Sequence, residues 1–383
     1  MKSELFPRRI VTGDAFCNRV NERKILAKLL SQGTHVWMQA HRRHGKTSLL
    51  LQTIEDMKND SQRIVAQRCH LLFTSGSESI IKQVLLSVSM LTAGIIESAN
   101  KHNDAAKSQT FLAKVMASFS RLNPKVGIDK GKFSLSFDSN NDVEALQKGL
   151  EKLDELASEY KIRAVLIIDE FQELGKSADG ILLESVIRDR LEMAKSLTFV
   201  FCGSERALMS QAMADTKRPL YNHTYPFDLQ RISADSYHQH LNKMANLEWG
   251  CELADEVFKP IMALSERHPY YINALCSELW LKPDVPTSDD VLDAWDKTVA
   301  IVAREEQSLF QSLTANEKKT LVAIARGHRN KMNSAKVLTS IGLGSSTVTK
   351  TLKQLGTKDI IGHNDEGYYV INPCIKAIVK KYS

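Results

Sequence analysis

His35-Val-Trp-Met-Gln-Ala40 runs directly into His41-Arg-Arg-His-Gly45-Lys46-Thr47-Ser48, and the reading of that junction decides the fold. A short apolar run enters a glycine-containing turn, and Thr47-Ser-Leu-Leu-Leu-Gln-Thr-Ile54 leaves it with the pattern of a helix. From Ala40 to Thr47 the spacing is GxxxxGK[ST], with Ala40 as the smallest departure from the first glycine. Such a loop wraps phosphates in backbone amides. Gly45 permits close approach, Lys46 reaches the β- and γ-phosphates, Thr47 ligates Mg2+, and the following helix aims its N-terminus at the anion. The segment Ala40, His41, Arg42, Arg43, His44, Gly45, Lys46, Thr47 and Ser48 is therefore the candidate nucleotide-binding loop. The side chains of His41, Arg42, Arg43 and His44 are expected to face solvent or a partner.

Working outward, Arg63–Cys69, Arg163–Asp169 and Leu197–Cys202 read as buried strands, with a long apolar-periodic helix over Glu78–Ile96. Near-continuous apolar strands alternating with helices predict a parallel sheet covered on both faces. Val165-Leu-Ile-Ile168-Asp169-Glu170 is four apolar residues followed by two acids. A strand ending in Asp169 presents a carboxylate for Mg2+, and Glu170 is suited to orient or deprotonate the attacking water. The pair predicts hydrolysis of ATP as well as binding. The next strand ends at Gly203-Ser204, where Ser204 is a candidate sensor of the terminal phosphate, and Arg206 and Arg218 are candidate arginine fingers or ordinary surface arginines. Pro124–Phe137 breaks the rhythm as two alternating runs around Asp129-Lys130-Gly131, a β-hairpin pattern.

The chain has 383 residues with 51 basic and 45 acidic side chains, a net charge of +6, and a length that suits two or three domains at roughly 150 residues each. No run approaches the ~18 consecutive apolar residues of a membrane span. The N-terminal Met1–Val11 lacks the apolar core of a signal peptide, which predicts a cytoplasmic protein. The six cysteines share no metal-ligand spacing and are expected as free, mostly buried thiols. From about residue 230 strand patterns give way to helices, which run to about residue 310. The last 70 or so residues then show three short helical patterns and a hairpin around Asn364-Asp-Glu-Gly367, the order of a winged helix-turn-helix. The expected domains are 1–228, 229–312 and 313–383.

Together these residues make the chain resemble the archaeal-type ATPases of the STAND branch of the AAA+ P-loop superfamily. The likeness rests on Phe16-Cys-Asn18-Arg19-Val-Asn-Glu22, on Arg42–Leu49, on Ile168-Asp-Glu-Phe-Gln172, on Lys217–Asn222 and on His268-Pro269-Tyr270-Tyr-Ile272. The resemblance implies an α/β P-loop NTPase core of AAA+ type, a helical lid and a C-terminal winged helix, with the hairpin inserted before the strand that ends in Asp169. It also implies that Asn18 and Arg19 lie against the nucleotide base and that Pro269 contacts the nucleotide. The family often carries Gly two residues before that proline, where this chain has Arg267.

Residues 315–383 hold 12 basic and four acidic side chains, so the rest of the chain is close to neutral. Ser345–Leu355 places apolar residues at 348, 352 and 355 and leaves Lys350 and Lys353 on the other faces, the pattern of a recognition helix. Duplex DNA and a partner protein both remain open as its target, as does assembly into a homo-oligomer. Three functions fit: an ATP-dependent switch, an origin-recognition-like DNA initiator or loader, and a non-hydrolysing nucleotide-bound scaffold that recruits a protein.

Overall fold

The computed structural model describes residues 5–101, 119–120, 124–129, 132–137 and 142–382. By contact the chain divides into two compact units. One takes in the residues up to Arg19, His41–Ser48 and Gln230 onward, and the other Val20–Ala40 and Leu49–Leu229.

Strands in the second unit are β1 (Val36–Gln39), β2 (Ile64–His70), β3 (Pro124–Asp129), β4 (Lys132–Phe137), β5 (Arg163–Asp169), β6 (Leu197–Phe201) and β7 (Tyr225–Asp228). Five form one sheet in the order β2-β5-β6-β1-β7, every pairing parallel. Helices cover it, and Val84, Val88, Leu91 and Ile95 from Gly76–Lys101 join Leu150, Leu153, Leu166, Ile168, Phe199 and Phe201 in one core. The strand read from the sequence at 163–169 has those bounds, because six of its seven residues are buried and apolar character runs through it. The carboxylate of Asp154 accepts backbone N–H groups from Lys195, Ser196 and Leu197, fixing the start of β6.

β3 and β4 pair antiparallel as the expected hairpin, whose Lys130-Gly131 turn lies outside the described residues. β7 carries no clear sequence signal: it is a four-residue edge strand with Pro226 and a single buried residue, Phe227. One described helix, Gly76–Ala99, is long and apolar enough to cross a membrane, and its most apolar part is mostly buried within the protein.

The first unit is helical. Phe6, Tyr237, Leu241, Ile261, Tyr271, Leu275 and Trp295 form the core of the helices read as a lid. Ser288–Glu305 begins with a capping box between Thr287 and Asp290, and Ala315–Ala325 begins with another between Thr314 and Glu317. Helices Ala315–Ala325, Ala335–Ile341 and Ser345–Thr357 and the hairpin β8 (Ile361–Asn364) and β9 (Gly367–Val370) then build the predicted winged helix.

A final helix, Pro373–Tyr382, goes beyond the three helices and hairpin expected. The Asn372 side chain caps it by accepting from Cys374 N and Ile375 N. Cys374 and Ile378 enter the lid core, whereas Ile375 and Val379 enter the winged-helix core. Two i, i+4 stripes one residue apart thus bind one helix to both subdomains.

Candidate nucleotide site

In the first unit the loop His41–Ser48 is bound to the lid helices and the winged helix. His41 is 9 % exposed; its Nδ1–H donates to Asp359 Oδ1 at 2.8 Å, and Tyr369 Oη lies 3.3 Å from its Nε2. The Arg43 guanidinium sits 4.2 Å from the Tyr270 ring centroid and faces Glu305 and Glu306. His44 is 3 % exposed and packs edge-on against His268, ring centroids 4.5 Å apart. Arg19 Nη2 donates to His44 O at 3.3 Å, and Asn18 Nδ2 donates to Ser236 Oγ at 2.8 Å. The structure therefore brings Asn18, Arg19 and Pro269, which opens the helix Pro269–Leu279, into the same unit as the loop.

Only Arg42 of the four bulky loop side chains is exposed, so the expectation that His41 and His44 face solvent or a partner is corrected. They are covered by this chain's own lid helices and winged helix, a long-range contact that local sequence does not encode. Gly45 has φ +86° and no atom within 4 Å of where a Cβ would stand, leaving an open backbone at the loop. Lys46 Nζ donates to His41 O at 3.2 Å, a bond that a phosphate oxygen can replace. Thr47 is half-buried, while the Ser48 hydroxyl is buried and accepts from Val11 N at 3.0 Å. The helix Lys46–Asn59 has no acidic residue in its first turn, which suits an anion at its N-terminus. Arg267, with φ +57°, stands in the left-handed region that glycine adopts without strain, and its side chain is exposed.

In the second unit the C-terminal ends of β1, β5 and β6 share one edge of the parallel sheet, the edge where such sheets place ligands. Ala40 follows β1, Asp169 ends β5, and Ser204 follows β6. Asp169 is 7 % exposed; its Oδ1 accepts from Glu170 N at 3.1 Å, and its Oδ2 accepts from Arg68 Nε at 2.8 Å and from Arg68 Nη2. Glu170 takes a left-handed φ of +56°. Its Oε2 accepts from Ser204 N at 3.0 Å, Ser204 Oγ at 2.7 Å and Gln172 Nε2 at 2.6 Å. Ser204 is thus placed on the carboxylate of Glu170. A Cβ on Gly203 would fall 2.3 Å from Gln172 Oε1 and 2.6 Å from Met209 Sδ, so a larger residue there would have to shift those side chains.

Arg218 forms a two-pronged ion pair with Glu184, whose side chain is fully buried. Arg206 is exposed at the start of Arg206–Ala214. Among the described residues no group of three His, Cys, Asp or Glu side chains could hold a metal ion; of the two residues expected as Mg2+ ligands, Thr47 lies in the first unit and Asp169 in the second. Their hydroxyl and carboxylate oxygens are the hard donors that Mg2+ takes. All six cysteines are free.

Burial, then the charges of His41 and Arg231, push the His44 imidazole from 6.5 down to about 3. Burial, then His44, Arg231, His41 and Arg43, hold His268 well below 6.5. The unfolded chain therefore binds more protons than the folded one. Stability contributed by these neutral rings is full above pH 6.5 and is lost as pH falls from there toward about 3. The two groups together make stability fall as pH drops from 7 toward 5. Urea unfolding of the first unit between pH 7 and pH 5 checks this, and His268→Leu should flatten the slope.

A family model described as a probable winged helix domain matches residues 306–381. No curated protein matches the chain in sequence. Among solved structures, the Walker-type ATPase of Pyrococcus abyssi is similar, with TM-score 0.70, 16% identity, and coverage of 98% of this chain and 99% of that one. The Aeropyrum pernix ORC2 protein is similar in its ADPNP–ADP complexes with TM-score 0.56 and 13% identity, covering 99% of this chain and 97% of that one. In its ADP form the same protein gives TM-score 0.52, 12% identity, and coverage of 98% and 96%. The chain shares the fold of these solved structures, a five-stranded parallel sheet with helices, and carries a winged helix as its C-terminal domain.

Proposed function

We propose that the protein binds and hydrolyses ATP as a nucleotide-dependent switch whose state is passed to the winged helix. The observation that carries this is the grip on the phosphate-loop sequence, where His41 meets Asp359 and Tyr369 of the winged helix and Arg43 and His44 meet Tyr270 and His268. A ligand that reshapes the loop must then act on those contacts, and through them on the winged helix. The solved relatives of like fold include a Walker-type ATPase and a protein held with ADPNP and ADP, which supports nucleotide as the ligand.

Lys46 and the loop amides bind the phosphates, and Thr47 and Asp169 hold Mg2+, which when bound neutralises charge on the phosphate oxygens. Glu170 orients the attacking water and accepts its proton. Asn18, Arg19 and Pro269 contact the nucleotide from the first unit. Residues 1–228 serve as the ATPase core, 229–312 as the lid and 313–383 as the winged helix of a cytoplasmic protein. Exposed Lys350 and Lys353 offer the winged helix a basic face for duplex DNA.

Linkage tests the switch. Asp359→Ala releases His41 and should raise ATP affinity about fivefold, measured by calorimetry on the full chain. An affinity equal to wild type would show that the winged helix and the loop are uncoupled.

A further inference from the structure

Two of the arginine–carboxylate pairs in the sheet unit, Arg218–Glu184 and Arg68–Asp169, differ in access. Arg218 and Glu184 have side chains 16% and 0% exposed, a closed pair that holds the chain after Arg206–Ala214 to the helix Gly180–Met193. The side chains of Arg68 and Asp169 are 32% and 9% exposed, so here the cation is reached by solvent while the carboxylate is not. Arg68 stands on β2 opposite Ile167, and its guanidinium extends along the strands to the carboxylate that ends β5. It places two N–H donors on Oδ2, while Oδ1 accepts the Glu170 amide.

Asp169 is also the residue through which the proposed function holds its divalent cation. A metal ion approaching this carboxylate meets a fixed positive charge that already satisfies one oxygen, and the two cations repel one another at that range. Oδ1 accepts the Glu170 amide, so Oδ2 is the oxygen that Arg68 covers. A guanidinium keeps its charge at any pH the protein survives, so it leaves by moving and not by losing a proton.

Resting on the nucleotide reading above, we infer that Arg68 is a positioning residue for the metal site. It holds the Asp169 carboxylate in place and covers it, and a divalent cation arriving with nucleotide displaces it. Asp169 thereby keeps a counter-ion while no metal is bound, and a metal gains the site only by exchanging with Arg68.

The test uses the full chain and ADP, titrated in excess EDTA and in excess Mg2+. The ratio of the two affinities should rise about tenfold in Arg68→Gln, a change of about 1.4 kcal/mol. Arg68→Lys keeps a cation beside Asp169 and should stay near the wild-type ratio. An effect on folding alone would lower thermal stability and leave this ratio unchanged. An unchanged ratio in Arg68→Gln, with both proteins binding ADP, overturns the role of Arg68 and leaves the nucleotide reading intact. Failure of wild type and variant alike to bind ADP in either buffer overturns that reading and this inference with it. Wild type supplies a second measurement that needs no variant. Labelling of Arg68 by an arginine-directed dicarbonyl reagent, read by mass spectrometry, should increase several-fold in Mg2+ with ADP relative to EDTA with ADP. Equal labelling also overturns the proposal.

Discussion

Glu170→Gln is expected to bind ATP with near wild-type affinity and to turn it over about 10²–10⁴-fold more slowly. The substitution keeps the size of the side chain and an acceptor oxygen, so the bonds from Ser204 N, Ser204 Oγ and Gln172 Nε2 can persist. What it removes is the basicity needed to take a proton from water. The bonds from Ser204 and Gln172 hold this carboxylate in one place, which is how a group that orients water has to be built. Phosphate release under saturating ATP, set beside equilibrium binding, separates the two effects. A variant that turns over ATP like wild type would remove Glu170 from the chemistry.

Arg218→Ala is expected to destabilise the sheet unit by about 3–5 kcal/mol, because it strands the Glu184 carboxylate in the interior. Burial raises the Glu184 carboxyl above its usual range even with Arg218 beside it, so without the guanidinium the group must protonate or stay charged at high cost. Replacing both partners by apolar residues of similar volume should recover much of the loss. Urea unfolding of Arg218→Ala and of the double variant Arg218→Met, Glu184→Leu distinguishes a structural arginine from a finger. A finger would cost turnover with stability unchanged, whereas the buried pair predicts that stability falls first.

Much of the fold was legible because its signals are local. The apolar run 163–169, the glycine-containing loop after Ala40 and the helix after it each follow from a few adjacent residues. The same holds for the hairpin over Pro124–Phe137 and for the winged helix, whose recognition-helix spacing at 348, 352 and 355 matches the buried face of Ser345–Thr357. β7 was not legible, since an edge strand with Pro226 and one buried residue lacks alternation. The final helix also escaped, because its two apolar stripes serve two different cores and blur into one another.

The candidate site divides in the same way. Residue types and spacing point to Lys46, Thr47, Asp169 and Glu170. Their partners come from elsewhere in the chain: Arg68 reaches Asp169 from the neighbouring strand, Ser204 reaches Glu170 from the next strand's loop, and Asp359 reaches His41 from the winged helix. Pairings of that kind are set by tertiary packing and leave no mark on the local pattern. The one sequence clue to the buried loop histidines was the pair itself, His41 and His44 in a loop that otherwise requires little side-chain bulk.

ATP turnover by the purified full chain, measured beside Lys46→Ala and Glu170→Gln, tests the central claim most directly. The account predicts Mg2+-dependent release of phosphate by wild type, loss of nucleotide binding in Lys46→Ala, and retained binding without turnover in Glu170→Gln. Nucleotide binding that survives Lys46→Ala, or no ATP binding and no phosphate release by wild type, would contradict it.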